Sequence, residues 1–456
     1  MKRNDKANIY NTLREKHHFL VYENFTFQKD QEQLIIRFLF TMAGDIHFAP
    51  TLTIPLAPFG NLPDEITGLE SLVFNIGMIE LLSYWKAACP PRVIVKAGAL
   101  NKQQIEWWKK LWFNGLGEFF YTNGIEAHPN KFVEIVSESD RHFDSFHFAI
   151  NDDILVPVGG GKDSAVTLDL LKNEGLAVRP FMINPLPSAF GIIEAAGIAN
   201  DAAIISFKRT IDSRLLMLNN EGYLNGHTPF SALLAFVTLL AARLGNIRHI
   251  ALSNESSANE PTIPGTKINH QYSKSFEFEK DFRDYVHEHI SKDFNYFSFL
   301  RPLNELQIAR LFARRPKFYG HFNSCNVGGR ADTWCTQCPK CLFTWIILSP
   351  FINQQKLISI FGHHLLDDES LKPIFDELTG LAAEKPFECV GTVDEVNAAL
   401  QRVIKSMAGM HLPALLRYYK QVMTPVERQI DHLLDDFNNE HFLNPTFEKL
   451  LRKSYR

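Results

Sequence analysis

The sequence predicts an α/β protein whose centre is a doubly wound parallel sheet, with an α+β N-terminal domain before it and a helical C-terminal region after it. Three observations carry that expectation. From residue 152 onward, short apolar runs at 154–158, 178–183, 203–207 and 247–253 alternate with helical segments, the pattern of parallel strands joined by crossover helices. Ahead of them, strand-like runs flank a Gly44-Asp45 turn, and beyond about Ser349 the chain is mostly amphipathic helix. Finally, 456 residues allow about three domains at roughly 150 residues each. The expected divisions are 1–150, 151–348 (the part with the Cys cluster) and 349–456.

Within the first division, 34–40, 49–56 and 92–96 read as strands, and 72–86 and 103–115 carry apolar residues at helical spacing. In the second, 154–158 leads into glycines and then a helix over 164–173, stopped by Gly175. A further helix is expected over 229–243, with Thr228 as N-cap and Pro229 at the first helical position. Thr392-x-x-Glu395 is a capping box opening a C-terminal helix. Trp107, Trp108 and Trp112, like Phe276, Phe278, Phe282 and Tyr285, recur at helical spacing and read as core.

Composition is that of an ordinary globular chain, 45% hydrophobic and 21% charged, which excludes collagen, bulk disorder and a disulfide scaffold. The 37 Phe imply aromatic-rich cores. With 47 Lys+Arg against 51 Asp+Glu, a net charge of −4, the chain lacks the basic excess of a nucleic-acid binder. The longest apolar run, about 232–242, falls short of the ~20 residues that span a bilayer. The charged start MKRNDKANIY has no secretory apolar core. A soluble, cytoplasmic, multi-domain protein is expected, without nucleic-acid or membrane partners. No oligomeric state is implied.

Gly159-Gly160-Gly161-Lys162-Asp163-Ser164 stands between the first strand of the parallel set and its helix. Glycines let a backbone turn its N–H groups onto a ligand, and the helix N-terminus adds positive potential, so the segment reads as a phosphate cradle. The spacing is neither that of the Gly-Lys-Ser/Thr nucleotide loop nor the dinucleotide fingerprint. It resembles the Ser-Gly-Gly-x-Asp-Ser loop of the PP-loop ATP pyrophosphatases, of adenine nucleotide alpha hydrolase type, which adenylate a carboxylate or carbonyl oxygen and release pyrophosphate. The resemblance implies ATP and Mg²⁺, with Asp163 a metal ligand; Gly159 departs from it by replacing the usual Ser. Arg209, Asn254 and Glu255 follow strand ends, where ligands of open α/β sheets bind. Arg209 suits a phosphate and Glu255 a metal.

Cys325-x9-Cys335-x2-Cys338-x2-Cys341 gathers four of the six cysteines. A closed four-thiolate set suits structural Zn²⁺; an iron–sulfur cluster is the less favoured occupant. The 7-cyano-7-deazaguanine synthases carry a similar zinc-binding cluster, which favours zinc.

Longer phrases point further. Ser83-Tyr84-Trp85-Lys86, Gly117-Glu118-Phe119-Phe120-Tyr121, Leu224-Asn225-Gly226-His227-Thr228-Pro229-Phe230-Ser231, Asn269-His270-Gln271-Tyr272-Ser273-Lys274-Ser275 and Lys385-Pro386-Phe387-Glu388-Cys389-Val390-Gly391-Thr392 occur in one chain. With the glycine loop and the Cys set, they resemble the UDP-N-acetyl-α-D-muramoyl-L-alanyl-L-glutamate epimerases (MurL) of cell-wall synthesis. That resemblance implies an ATP-dependent isomerase of peptidoglycan precursor biosynthesis, converting the terminal L-Glu of UDP-MurNAc-L-Ala-L-Glu to D-Glu through an acyl-adenylate.

Candidates for the epimerisation base are His227, His270, Lys274 and Cys389, with Tyr272 a further one. The helix opening at Thr392 is expected to favour a Cys389 thiolate. Arg209 and Arg214 are candidates for clamping a carboxylate or a phosphate. In PP-loop relatives a Lys follows a Pro-Leu segment; here Arg301-Pro302-Leu303 has none in place, leaving Arg301 or Lys274 as substitutes. The alternatives are another adenylating enzyme, deazaguanine- or tRNA-modifying, and a nucleotide-sensing scaffold. The first would bring a different length or a basic appendage, the second loss of Asp163 or Ser164.

Overall fold

The computed structural model describes residues 3–198, 203–423 and 430–455. Eleven strands form one sheet: β1 (Phe19–Lys29), β2 (Gln33–Met42), β3 (Ile46–Phe48), β4 (Thr51–Pro55), β5 (Arg92–Val95), β6 (Glu134–Ser137), β7 (Asn151–Pro157), β8 (Val178–Ile183), β9 (Ile205–Thr210), β10 (Ile247–Leu252) and β11 (Asn295–Ser298). Their order is β11-β10-β7-β8-β9-β4-β2-β1-β5-β6, with β3 pairing β2 off this path.

The half from β11 to β9 is parallel throughout. The chain winds outward from β7 through β8 to β9, then restarts on the other side of β7 with β10 and β11. Such a reversal opens a crevice beyond the carboxyl ends of the two central strands, here β7 and β10. Residue alternation fixes the faces: Leu155 joins one core, while Ile154 and Val156 join the other. Helices Lys162–Asn173 and Phe230–Leu244 supply crossovers.

The N-terminal half is mixed, with β1, β2 and β4 antiparallel and β5 and β6 parallel to β1. It is continuous with the parallel half, because β4 pairs antiparallel with β9 through Thr51–Thr210, Leu52–Arg209 and Thr53–Lys208. Segments expected on either side of residue 150 therefore share one sheet.

One expected cap differs. Helix Phe230–Leu244 begins with Pro229 in the cap position and no side-chain cap, so Thr228 does not serve. Pro229 packs on Gly115, where an added Cβ would lie 2.7 Å from the proline Cγ, and its ψ of 76° lies outside helical geometry. The Thr392–Glu395 capping box forms as expected. Trp108, Trp112, Phe278, Phe282 and Tyr285 are buried core side chains.

Candidate active site

β7 ends at Pro157, and the chain turns through the three glycines into the Lys162–Asn173 helix. Gly160 has φ +89°, and a Cβ there would meet Ser188 Oγ at 2.4 Å, so only glycine fits. Ser164 Oγ donates to the Gly161 carbonyl over 3.1 Å, tightening the first turn. Gly161 caps the helix without a side-chain acceptor, which leaves its first amides for an anion. A cleft of about 320 Å³ opens here at the reversal point, lined by Gly159, Gly161, Asp163 and Ser164, by Asn254 and Glu255 past β10, and by Lys274, Lys340 and Cys389. Ser253 Oγ and Asn323 Nδ2, from two further lining residues, are buried without hydrogen-bond partners, as is Ser188 Oγ beside Gly160. Such orphaned groups cost free energy until a polar ligand meets them, so the cleft suits a nucleotide's phosphates.

Oxygens of Asp163, Glu255 and Glu305 lie within 4.8 Å of one another. Burial raises the Glu305 carboxyl to about 7, against the pull of Lys162 and with help from Asp163 and Glu255. Glu255 is likewise raised, chiefly by burial. Burial alone would raise Asp163 as well, yet Lys162 and Lys340 hold it below the ordinary range. Crowded hard oxygens of this kind suit Mg²⁺.

Two residues expected at the phosphates are engaged elsewhere. Lys162 is 2% exposed and bonds Asp163 over 2.5 Å and Glu305. The Arg209 guanidinium grips buried Glu80 through Nε at 2.7 Å and NH2 at 2.9 Å, because the β4–β9 pairing carries Arg209 to the seam between the half-sheets. Arg214 is exposed. Arg301, a suggested substitute for the missing Lys, is wholly buried, ion-paired with Glu279 at 3.0 Å and bonded to the carbonyls of Glu255 and Lys274. It braces the site, while Lys274 enters the cleft.

Lys274 Nζ stands 3.1 Å from Cys389 Sγ. Burial would raise the Cys389 thiol, but Lys274, a hydrogen bond with His270 and the charge of Lys340 bring it down to about 5. Lys274, His270 and Lys340 are thus the charges and donors that favour the thiolate. His270 Nδ1 bonds Glu118 Oε2 at 2.5 Å. Burial would lower His270, but Cys389 and Glu118 outweigh it and push it up to about 9. His227 lies beside it with ring centroids 4.4 Å apart and planes tilted by 47°, and its Nδ1 lies 3.5 Å from the same Glu118 oxygen. Burial, then His270, Lys86 and Lys274, lower His227 to about 3. Tyr272 is 6% exposed, and burial pushes its phenol up to about 12.

The four predicted sulfurs gather as well. Cys325–Cys338 and Cys335–Cys341 are 3.8 Å apart and Cys338–Cys341 3.5 Å. A tetrahedral zinc with ~2.3 Å bonds needs sulfurs about 3.8 Å apart, so the set fits one ion. Backbone amides of Gly328 and Cys335 point at Cys325 Sγ, at 3.1 and 3.4 Å, as thiolate ligands require.

Sequence reasoning passed over Glu118 and Glu305. Glu118 lay inside a noted phrase, but no spacing rule ties residue 118 to 227 and 270. The segment holding Glu305 was read only for its absent Lys.

The MurL N-terminal domain family matches residues 11–299 and the MurL C-terminal domain family residues 321–432. A curated relative from Xanthomonas oryzae pv. oryzae, named UDP-N-acetyl-alpha-D-muramoyl-L-alanyl-L-glutamate epimerase, is 32% identical over 417 residues, or 89% of this chain and 91% of its own. Relatives of the same name from Salinispora tropica and Micromonospora sp. are 34% and 35% identical, covering 78% of this chain and 78% and 80% of theirs.

Proposed function

This chain belongs to the MurL family, and from that premise we propose that it is an isomerase inverting the terminal L-Glu of UDP-MurNAc-L-Ala-L-Glu, with ATP consumed as second substrate. The observation that carries the reading is one cleft holding both an anion-binding loop, 159–164, and a Lys274–Cys389 ion pair.

An α-proton beside a free carboxylate is hard to remove because a dianion results. In this reading the α-carboxylate oxygen attacks the α-phosphorus of ATP, and pyrophosphate leaves along the loop amides. The acyl-adenylate so formed is uncharged at its carbonyl, which then accepts the enolate electrons. Asp163, Glu255 and Glu305 would hold Mg²⁺, which supplies charge neutralisation at the phosphates. Phe230, half exposed on the cleft wall, offers a ring face to the adenine.

The protonation states support a division of the proton chemistry. Near neutral pH Cys389 is the charged lone-pair donor, while Lys274 and His270 carry protons. Cys389 therefore takes the α-proton, and an ammonium or imidazolium returns one to the opposite face. Glu118 orients His270 and keeps it protonated. His227 stays neutral beside the same Glu118 oxygen. Water then attacks the acyl carbon and AMP departs. Cys325, Cys335, Cys338 and Cys341 would hold a zinc ion as a structural cross-link outside these steps.

The test is incubation with ATP, Mg²⁺ and UDP-MurNAc-L-Ala-L-Glu in D₂O. Pyrophosphate release together with deuterium at the glutamate α-carbon is expected. Pyrophosphate without deuterium would reject epimerisation; absence of both would reject the reading.

A further inference from the structure

Among the described residues the buried cations are Lys162 (2% exposed), Arg301 (0%) and Lys86 (8%). Lys162 is paired with Asp163 and Glu305, and Arg301 with Glu279. Lys86 has no such partner: its Nζ donates to the Gly226 carbonyl, and no described carboxylate lies within ion-pair distance. The acids around it are engaged, Glu80 by Arg209 and Glu118 by the two histidines. A buried ammonium facing only a carbonyl dipole is an uncompensated charge, which proteins rarely keep without use. Burial, then the nearby Arg209 charge, accordingly pull Lys86 down to about 8.

Its position gives that charge a use. Lys86 directly follows the Leu69–Trp85 helix and holds the Gly226 carbonyl beside His227. His227 follows Gly226 directly and lies against His270, ring centroids 4.4 Å apart, so Lys86 is tied to the loop that carries the histidine pair. On the reading proposed above, the substrate's glutamate brings two carboxylates. The α-carboxylate is activated at the glycine loop beside Lys274, and the side-chain carboxylate stays anionic throughout. The arginines that the sequence offered for this anion are engaged or exposed. We propose that Lys86 is the counter-ion of the side-chain carboxylate, and that it sets the requirement for a terminal Glu over a neutral isostere.

The experiment compares wild type, Lys86→Met and Lys86→Arg with UDP-MurNAc-L-Ala-L-Glu and with the same compound ending in L-Gln, reading KM and kcat for pyrophosphate release. Lys86→Met is expected to raise KM for the Glu substrate about 10- to 100-fold with kcat little changed. Its KM for the Gln substrate should not move, and Lys86→Arg should keep the preference for Glu. Equal losses on both substrates, or an undiminished preference for Glu in Lys86→Met, would overturn the assignment. Because the substitution removes an unpaired buried charge, Lys86→Met should melt no lower than wild type. Should it fail to fold, Lys86→Gln is read on the same two substrates, with loss of the Glu preference expected and its retention overturning the assignment. A wild type that releases no pyrophosphate would fail the underlying reading instead, which this comparison shows separately.

Discussion

A thiol becomes a useful base only when cations surround it, and Cys389 has three in reach: Lys274, His270 and Lys340. Replacing it with Ala should cut α-deuterium exchange by about 10²- to 10⁴-fold while pyrophosphate release survives; equal loss of both would place Cys389 in nucleotide binding instead. The pH profile follows from the same groups. The base form of Cys389 is lost as pH falls through about 5, and the acid form of His270 is lost as pH rises through about 9. A plot of kcat/KM against pH should therefore be bell-shaped with limbs near those values. Glu118→Gln removes one of the groups that raise His270, so the alkaline limb should move to lower pH. An unmoved limb would detach His270 from turnover. Cys389, His270 and Lys274 were legible as reactive side chains in polar phrases, but their union was not. Residues 118, 270, 274 and 389 meet through folding alone, without a local spacing rule.

Among the elements, the strand–loop–helix from β7 to Asn173 was the most legible. A short apolar run, three glycines and an Asp-Ser start leave little else for the segment to be. β1 escaped because its alternation breaks at a register shift between Tyr22 and Asn24. β6 and β11, four residues each, went unread, whereas the equally short β5 shows an unbroken Val93-Ile94-Val95 run. The loop itself is testable. Gly160→Ala forces a side chain into a φ of +89° and against Ser188, a strain of about 1–2 kcal/mol from the backbone alone. Nucleotide affinity, measured by calorimetry with a non-hydrolysable ATP analogue, should fall at least tenfold with the far-UV spectrum unchanged. Undiminished affinity would move the phosphates elsewhere.

Across the whole molecule, β4–β9 pairing makes one sheet of what reads as two modules. No sequence signal announces it, since an antiparallel edge contact between residues 51–53 and 208–210 uses backbone groups only. Its consequence is functional: Glu80, Lys86 and Glu118 from the first half are brought to loops of the second. None of the helices searched among the described residues is long and apolar enough to cross a membrane. The cysteine set ties Cys325, Cys338 and Cys341 into the second core. Metal analysis should find one zinc per chain, and Cys338→Ser should lower the melting temperature and reduce pyrophosphate release and deuterium exchange in step. Loss of epimerisation alone, at an unchanged melting temperature, would give the cluster a chemical role. The central claim, that this cleft joins a carboxylate to a nucleotide, is tested most directly with substrate carrying ¹⁸O in the glutamate α-carboxylate. The account predicts AMP carrying one ¹⁸O after turnover in unlabelled water; unlabelled AMP, with the isotope retained in the glutamate or passed to inorganic phosphate, would contradict it.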